Sequence, residues 1–304
     1  MSSSSGTNGA PWRTLFLEHV GSMKSPEFVL STIRKVPSSS PSASYGIKVG
    51  DGYTHIPRAR TCVFRGMLAN MDVNPKNDAP LNPQIFDSEL LTFTTDVRMD
   101  KMPELWGDVP AVPSKGGNAF SDDDDDSGKL QGTGGGGPVE AVFWAHEPAV
   151  QWRVRGRAYV LGPDVDEANE TTELLQGRMR TRNSQHATKQ EAGWSWSREV
   201  TAHFGNCAPG MRGSFKNPPP GRPVSLPIDD GLALGQKVTD LNDEIARKNF
   251  RVVVIVPEEV DRCDLSDPSR ARRWIYRFVG EKGGEPEYPG GHVEDGWEKV
   301  ETWP

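Results

Sequence analysis

Apolar residues recur in this chain with two distinct periods, and the change of period divides it. Trp12, Leu15, Phe16, His19 and Val20 follow Pro11 at helical spacing, which predicts a short amphipathic helix opening the folded region. Beyond it the period is strand-like, over Glu27 to Ile33, Ala59 to Met67, Leu90 to Thr95, Val139 to Ala145 and Val150 to Leu161. In the last of these, Val150, Trp152, Val154 and Gly156 alternate with polar residues. The densest run, Phe250 to Val256, predicts a central strand, and Arg272 to Val279 and Gly296 to Trp303 add two more. Helices are expected near Phe204 to Phe215 and Val238 to Lys248, with another starting near Asp100. Pro218 to Gly221 reads as a rigid turn.

Many strands at hairpin-like spacing with few long helices imply an α+β fold, an antiparallel barrel flanked by helices rather than a parallel βαβ sheet. Residues 1–10 read as a disordered start and 11–304 as a single domain. Polar or low-complexity insertions are expected at about 37–52, 107–138 and 163–193. The second insertion carries the run Asp122 to Asp126 and the glycines Gly134 to Gly137; the third has little apolar periodicity.

Charge narrows the function. With 35 basic and 42 acidic residues the formal charge is −7, so no general basic excess holds nucleic acid or an acidic membrane, and any anion site is local. Cys62, Cys207 and Cys263 are widely spaced with no metal-ligand pattern, so no metal is expected, and a reducing, cytoplasmic setting fits. No secretory leader or membrane-spanning run is legible. The nine tryptophans are scattered through apolar strands, where packing explains them better than base stacking. His146 has no positioned Cys, Ser or acid partner, so no catalytic acid or base is identified. No Gly-rich dinucleotide or P-loop motif is present.

Two segments concentrate anion chemistry. In Pro57 to Gly66, alternation puts Arg60, Cys62 and Phe64 on one face and Thr61, Val63 and Arg65 on the other. Arg60 and Arg65 therefore reach one ligand only at a bulge or a barrel rim. In Thr92 to Lys101 a strand runs into a turn and a helix start, bringing hydroxyls, Arg98 and Lys101 toward what a phosphate dianion requires.

Taken in order, Arg60 to Arg65, then Phe93 and Thr94 followed by Arg98 and Lys101, then Gln151 to Arg157, resemble the pyridoxamine 5′-phosphate oxidase superfamily of split β-barrel flavoproteins. Ala10-Pro11-Trp12, Thr95 to Arg98, Pro218 to Gly221 and the terminal Trp297 to Pro304 look more like a cyanobacterial-type FMN-binding branch of it. The resemblance implies an antiparallel split barrel with FMN as cofactor and contacts from Arg60, Thr61, Cys62, Val63, Phe64 and Arg65. It further implies that Phe93 and Thr94 line the flavin, that Arg98 and Lys101 bind its phosphate, that Gln151 meets the ring and that Arg273 completes the site. A homodimer with the flavin at its interface and an unidentified small-molecule substrate follow as expectations.

Departures argue against vitamin B6 oxidation. The late oxidase histidine falls on Ala271, and a turn that helps hold flavin reads Ala208-Pro209-Gly210-Met211. Arg180 to Gln185, in contrast, looks like the oxidase substrate-phosphate segment. The leading expectation is an FMN-dependent oxidoreductase. The alternative, from another class, is a split-barrel binding module without redox turnover.

Overall fold

A fifteen-residue strand, β9 (Phe250–Asp264), organises the molecule. Its side chains feed two cores: Val253, Ile255 and Val260 pack with Phe93, Phe143 and Trp152, whereas Val252, Val254 and Val256 pack with Leu161 and Phe204. A strand covered on both faces is apolar at consecutive positions, which explains the run that marks it in the sequence. The computed structural model describes residues 9–107, 129–167, 169–182, 193–280 and 283–304.

Along one edge β9 pairs with β7 (Val150–Leu161). Along the other its first half meets β5 (Leu91–Asp96) and its second half meets β10 (Arg272–Phe278). From β7 the sheet continues through β6 (Gly134–Ala145), β1 (Glu27–Pro37), β3 (Tyr53–Val63) and β2 (Ile47–Lys48). From β10 it continues through β12 (Trp297–Thr302) to β11 (His292–Glu294), and every one of these pairings is antiparallel. The ladder does not close on itself. After β3 the chain does come beside β5, where Arg65 N–H donates to Thr92 O at 2.8 Å and Thr92 N–H to Gly66 O at 3.0 Å.

Helix α1 (Arg13–Gly21) seals one end of the inner core through Phe16. That ring meets Phe64, Phe143 and Trp152 edge to face at centroid distances of 5.8, 5.1 and 5.5 Å. The other face of the sheet carries α4 (Trp196–Asn206), α5 (Pro209–Ser214) and α6 (Glu244–Asn249). Ser195 and Asp243 cap α4 and α6 by accepting the N–H groups of Arg198 and Ala246.

The expected insertions carry more structure than their composition suggests. Around 37–52, β1 runs on to Pro37, a 3₁₀ turn spans Pro41–Tyr45, and β2 returns along β3. In the second insertion residues 108–128, with the aspartate run, lie outside the described residues, but Gly134 to Gly137 open β6 with a bulge. A Cβ on Gly137 would sit 2.3 Å from Glu104 O, so the missing side chain is what lets α2 (Met102–Trp106) rest directly on the strand. The third contains α3 (Glu170–Gly177), capped by Asn169, and β8 (Arg180–Thr181), which pairs with β4 (Phe86–Asp87). Residues 1–8 and 183–192 fall outside the description. Among the described residues no helix is long and apolar enough to cross a membrane.

Candidate functional site

The antiparallel register of β1 and β3 sets Leu30 opposite Arg60, Thr32 opposite Arg58 and Arg34 opposite Ile56, so the two strands present Thr32, Arg34, Arg58 and Arg60 on one face. Helix α2 packs over this end and supplies Glu104, whose side chain is fully buried. Glu104 accepts from Thr32 Oγ1 at 2.5 Å, from Arg34 Nε at 2.8 Å and from Arg60 Nη2. Arg60 Nη1 also donates to Thr32 Oγ1 and to Leu30 O. Arg34 Nη2 reaches the carbonyl and carboxylate of Asp100, both at 3.1 Å. Lys101 Nζ donates to Thr95 Oγ1 at 3.0 Å and touches Met99 Sδ at 2.7 Å. Between these groups opens a cavity of about 270 Å³ lined by Arg34, Arg58, Arg60, Lys101, Pro220 and Gly221.

Four cations face two carboxylates here, which leaves two surplus positive charges. Burial pushes the Lys101 ammonium below the ordinary lysine value; the nearby Cys62, Asp96 and Glu104 oppose that shift and Arg60 adds to it. Arg34 moves the other way: burial works against its charge, but Glu104 and Asp100 more than offset it. Burial also pushes the Cys62 thiol up, against the pull of Lys101 and Arg60. Such a cleft suits a compact dianion held by charge-assisted hydrogen bonds. With only five residues, α2 adds little dipole to it, so the side chains carry the attraction.

The remaining residues singled out in the sequence lie elsewhere. Arg98 does not line the cavity. It grips Asp96 with Nε at 2.9 Å and Nη2 at 2.6 Å, and donates to the carbonyls of Asn217 and Phe215 at 3.0 and 3.2 Å, as a strut between β5 and the exit of α5. Phe64 and Phe93 point into the inner core, where Phe93 meets Phe28 at 5.8 Å, so only their backbones can face a ligand. Arg65 and Thr94 turn toward α4 and α5. There burial pushes the Cys207 thiol up, partly offset by Arg65, Arg212 and a hydrogen bond with Thr94. The Arg65 Nε is buried without a hydrogen-bond partner.

Thr61 and Val63 occupy the outer face of β3, Thr61 exposed and Val63 half-buried. Gln151 shares that outer face on β7, opposite Trp144 and Cys263, and Arg273 lies opposite Cys263 on β10 and binds both oxygens of Asp261 at 3.0 and 2.7 Å. Within one chain β1 and β6 lie between β3 and β7. Arg180 and Arg182 line a different cavity of about 660 Å³, in which Arg180 pairs with Glu89 and Arg182 with Asp87 at 2.8 Å.

Sequence reasoning missed Thr32, Arg34 and Glu104. The alternation that selected Arg60 would have found Arg34 had β1 been extended past Ile33. Glu104 left no signal, because only the seat of α2 on Gly137 brings it over the two arginines.

A family model described as pyridoxamine 5′-phosphate oxidase, FMN-binding domain, matches residues 9–162. No curated protein matches the chain. Among solved structures it is similar to a pyridoxamine 5′-phosphate oxidase-related, FMN binding protein from Nostoc punctiforme PCC 73102. That match is 16% identical, with a TM-score of 0.49, and covers 97% of this chain and 98% of the other. It is also similar to PhzG from Burkholderia lata 383, solved in complex with tetrahydrophenazine-1-carboxylic acid. Here identity is 12%, the TM-score is 0.34, and coverage is 96% of this chain and 90% of the other. At such identity neither structure assigns a ligand to this chain. The stretch that the family model matches takes in every charged residue of the cleft, though not Pro220 and Gly221, and the β7 run from Gln151 to Gly156, and the chain belongs to the pyridoxamine 5′-phosphate oxidase FMN-binding domain family.

Proposed function

We propose that this chain binds FMN and acts as an FMN-dependent oxidoreductase on a small-molecule substrate. The observation that carries the reading is the cleft beside Lys101, with two surplus positive charges inside the stretch that the family model matches. A phosphate monoester dianion balances that excess. Lys101 Nζ spends two of its three N–H groups on Thr95 and Met99 and keeps one for the ligand. Arg60 and Lys101 would hold the phosphate. The strand from Thr61 to Val63 would run beside the ring, and Thr94 and Arg65 would lie toward its far end. When bound, the isoalloxazine supplies the redox chemistry; these residues bind and orient it.

On the same sheet two strands intervene between Arg60 and Gln151, and four between Arg60 and Arg273. That separation fits a homodimer in which the partner's copies complete the flavin site across the outer face, and a split barrel closed near Arg65 and Thr92 is the architecture this implies. The three cysteines are free, which suits a reducing, cytoplasmic compartment.

Purified protein tests the reading. Flavin absorption, release of FMN on denaturation and saturable binding of added FMN are the expected results. A colourless preparation that fails to quench FMN fluorescence on titration overturns it.

A further inference from the structure

We propose that Glu104 is a positioning residue of the phosphate cleft and that Arg34, which it holds, is a phosphate ligand beside Arg60 and Lys101. The inference rests on the flavin reading above and adds residues that the sequence motifs do not contain.

A fully buried carboxylate is costly unless donors surround it, and Glu104 has three, from Thr32, Arg34 and Arg60. The consequence falls on the arginines. A free arginine side chain samples many rotamers, and ordering it on ligand binding costs free energy. Arg60 is already fixed by Glu104, Thr32 and Leu30, with both terminal nitrogens occupied. Arg34 is fixed differently: Nε is on Glu104 and Nη2 on Asp100, while Nη1 has no protein acceptor among the described residues, and the side chain lines the cavity. Arg34 therefore keeps a whole terminal nitrogen to offer, where Arg60 keeps one Nη2 hydrogen. Asp100 lies at the exposed rim and Glu104 at the buried floor, so one carboxylate steadies each side of the Arg34 guanidinium.

The opposing account makes Glu104 a competitor that neutralises Arg34 and Arg60 and weakens anion binding. The two accounts predict opposite signs. FMN and riboflavin, which differ only in the phosphate, are titrated against wild type, Arg34→Gln and Glu104→Gln, and inorganic phosphate is used to displace FMN. We expect Arg34→Gln to lose about ten- to hundredfold in FMN affinity with riboflavin affinity unchanged. Glu104→Gln should also bind FMN more weakly, although it makes the cleft more positive, and phosphate should displace FMN less effectively from both variants. FMN binding by Glu104→Gln as tight as wild type or tighter overturns the positioning role. An unchanged FMN-to-riboflavin ratio in Arg34→Gln removes Arg34 as a ligand. Thermal melts report folding; if Glu104→Gln does not fold, Thr32→Val, which deletes one donor to Glu104, takes its place with the same expected direction. A wild-type protein that binds no FMN sinks the functional reading itself, whereas wild-type binding with unchanged variants sinks only this inference.

Discussion

Charging Lys101 is expensive where it sits, between a thiol, an arginine and a buried hydroxyl, and a bound phosphate dianion would offset that cost. Lys101→Ala should weaken FMN binding by about 1.5–3 kcal/mol, read as a loss of affinity for FMN with riboflavin little affected. The sign of the pH dependence follows from the lowered pKa. Free protein loses the Lys101 proton below the ordinary 10.5, and unfolded chain binds it more strongly, so the cost of charging Lys101 to the folded state disappears as pH rises through that lowered value. FMN affinity should therefore improve as pH passes about 6, where the second phosphate proton leaves, and decline on the alkaline side before 10.5. In Lys101→Ala that alkaline decline should vanish; its persistence in a pH titration would assign it to another group. Arg98 gives the contrasting case. Arg98→Ala strands the buried Asp96 carboxylate and should cost about 3 kcal/mol of stability in a denaturant melt, with the FMN-to-riboflavin ratio kept.

Elements owe their positions here to where side chains are absent as much as to where they are large. The bulge between Arg155 and Gly156 brings β9 so close that a Cβ on Gly156 would lie 2.0 Å from Val256 O. Gly156→Ala should cost at least the ~1–3 kcal/mol typical of overpacking, seen as a lowered melting temperature, and a neutral result would mean the strands can part. On β9 itself, Ile255 is fully buried in the inner core, so Ile255→Ala should lose about 2–5 kcal/mol. The strand was legible because covering both faces forces an unbroken apolar run. Gly134 to Gly137 was not: glycine runs read as linker, and only the approach of α2 shows that they are a seat for it.

At the scale of the whole molecule, the outer face of β1, β3 and β6 presents a partly apolar strip. Val29, Ile33 and Trp144 on it are 42%, 40% and 37% exposed. If a two-fold partner covers this strip and completes the flavin site, the double change Val29→Glu and Ile33→Glu should yield a monomer with weakened FMN binding. Light scattering on the eluting protein would decide, and a wild-type monomer that binds FMN with full affinity would rule the assembly out.

The sequence by itself determined the longer strands, the centrality of Phe250 to Val256 and the concentration of cations near Arg60 and Lys101, because periodicity and residue type are local properties, whereas the short β2, β4, β8 and β11 left no such signal. Tertiary structure alone decided which cations share a cleft. Arg98, next in motif order, was captured by Asp96 two residues away, while Arg34 arrived through the register of β1 against β3. Glu104 came to join Arg34 and Arg60 because a glycine strand let a short helix approach. Which charge neutralises which is settled by distances between elements far apart in sequence, and no local pattern encodes those.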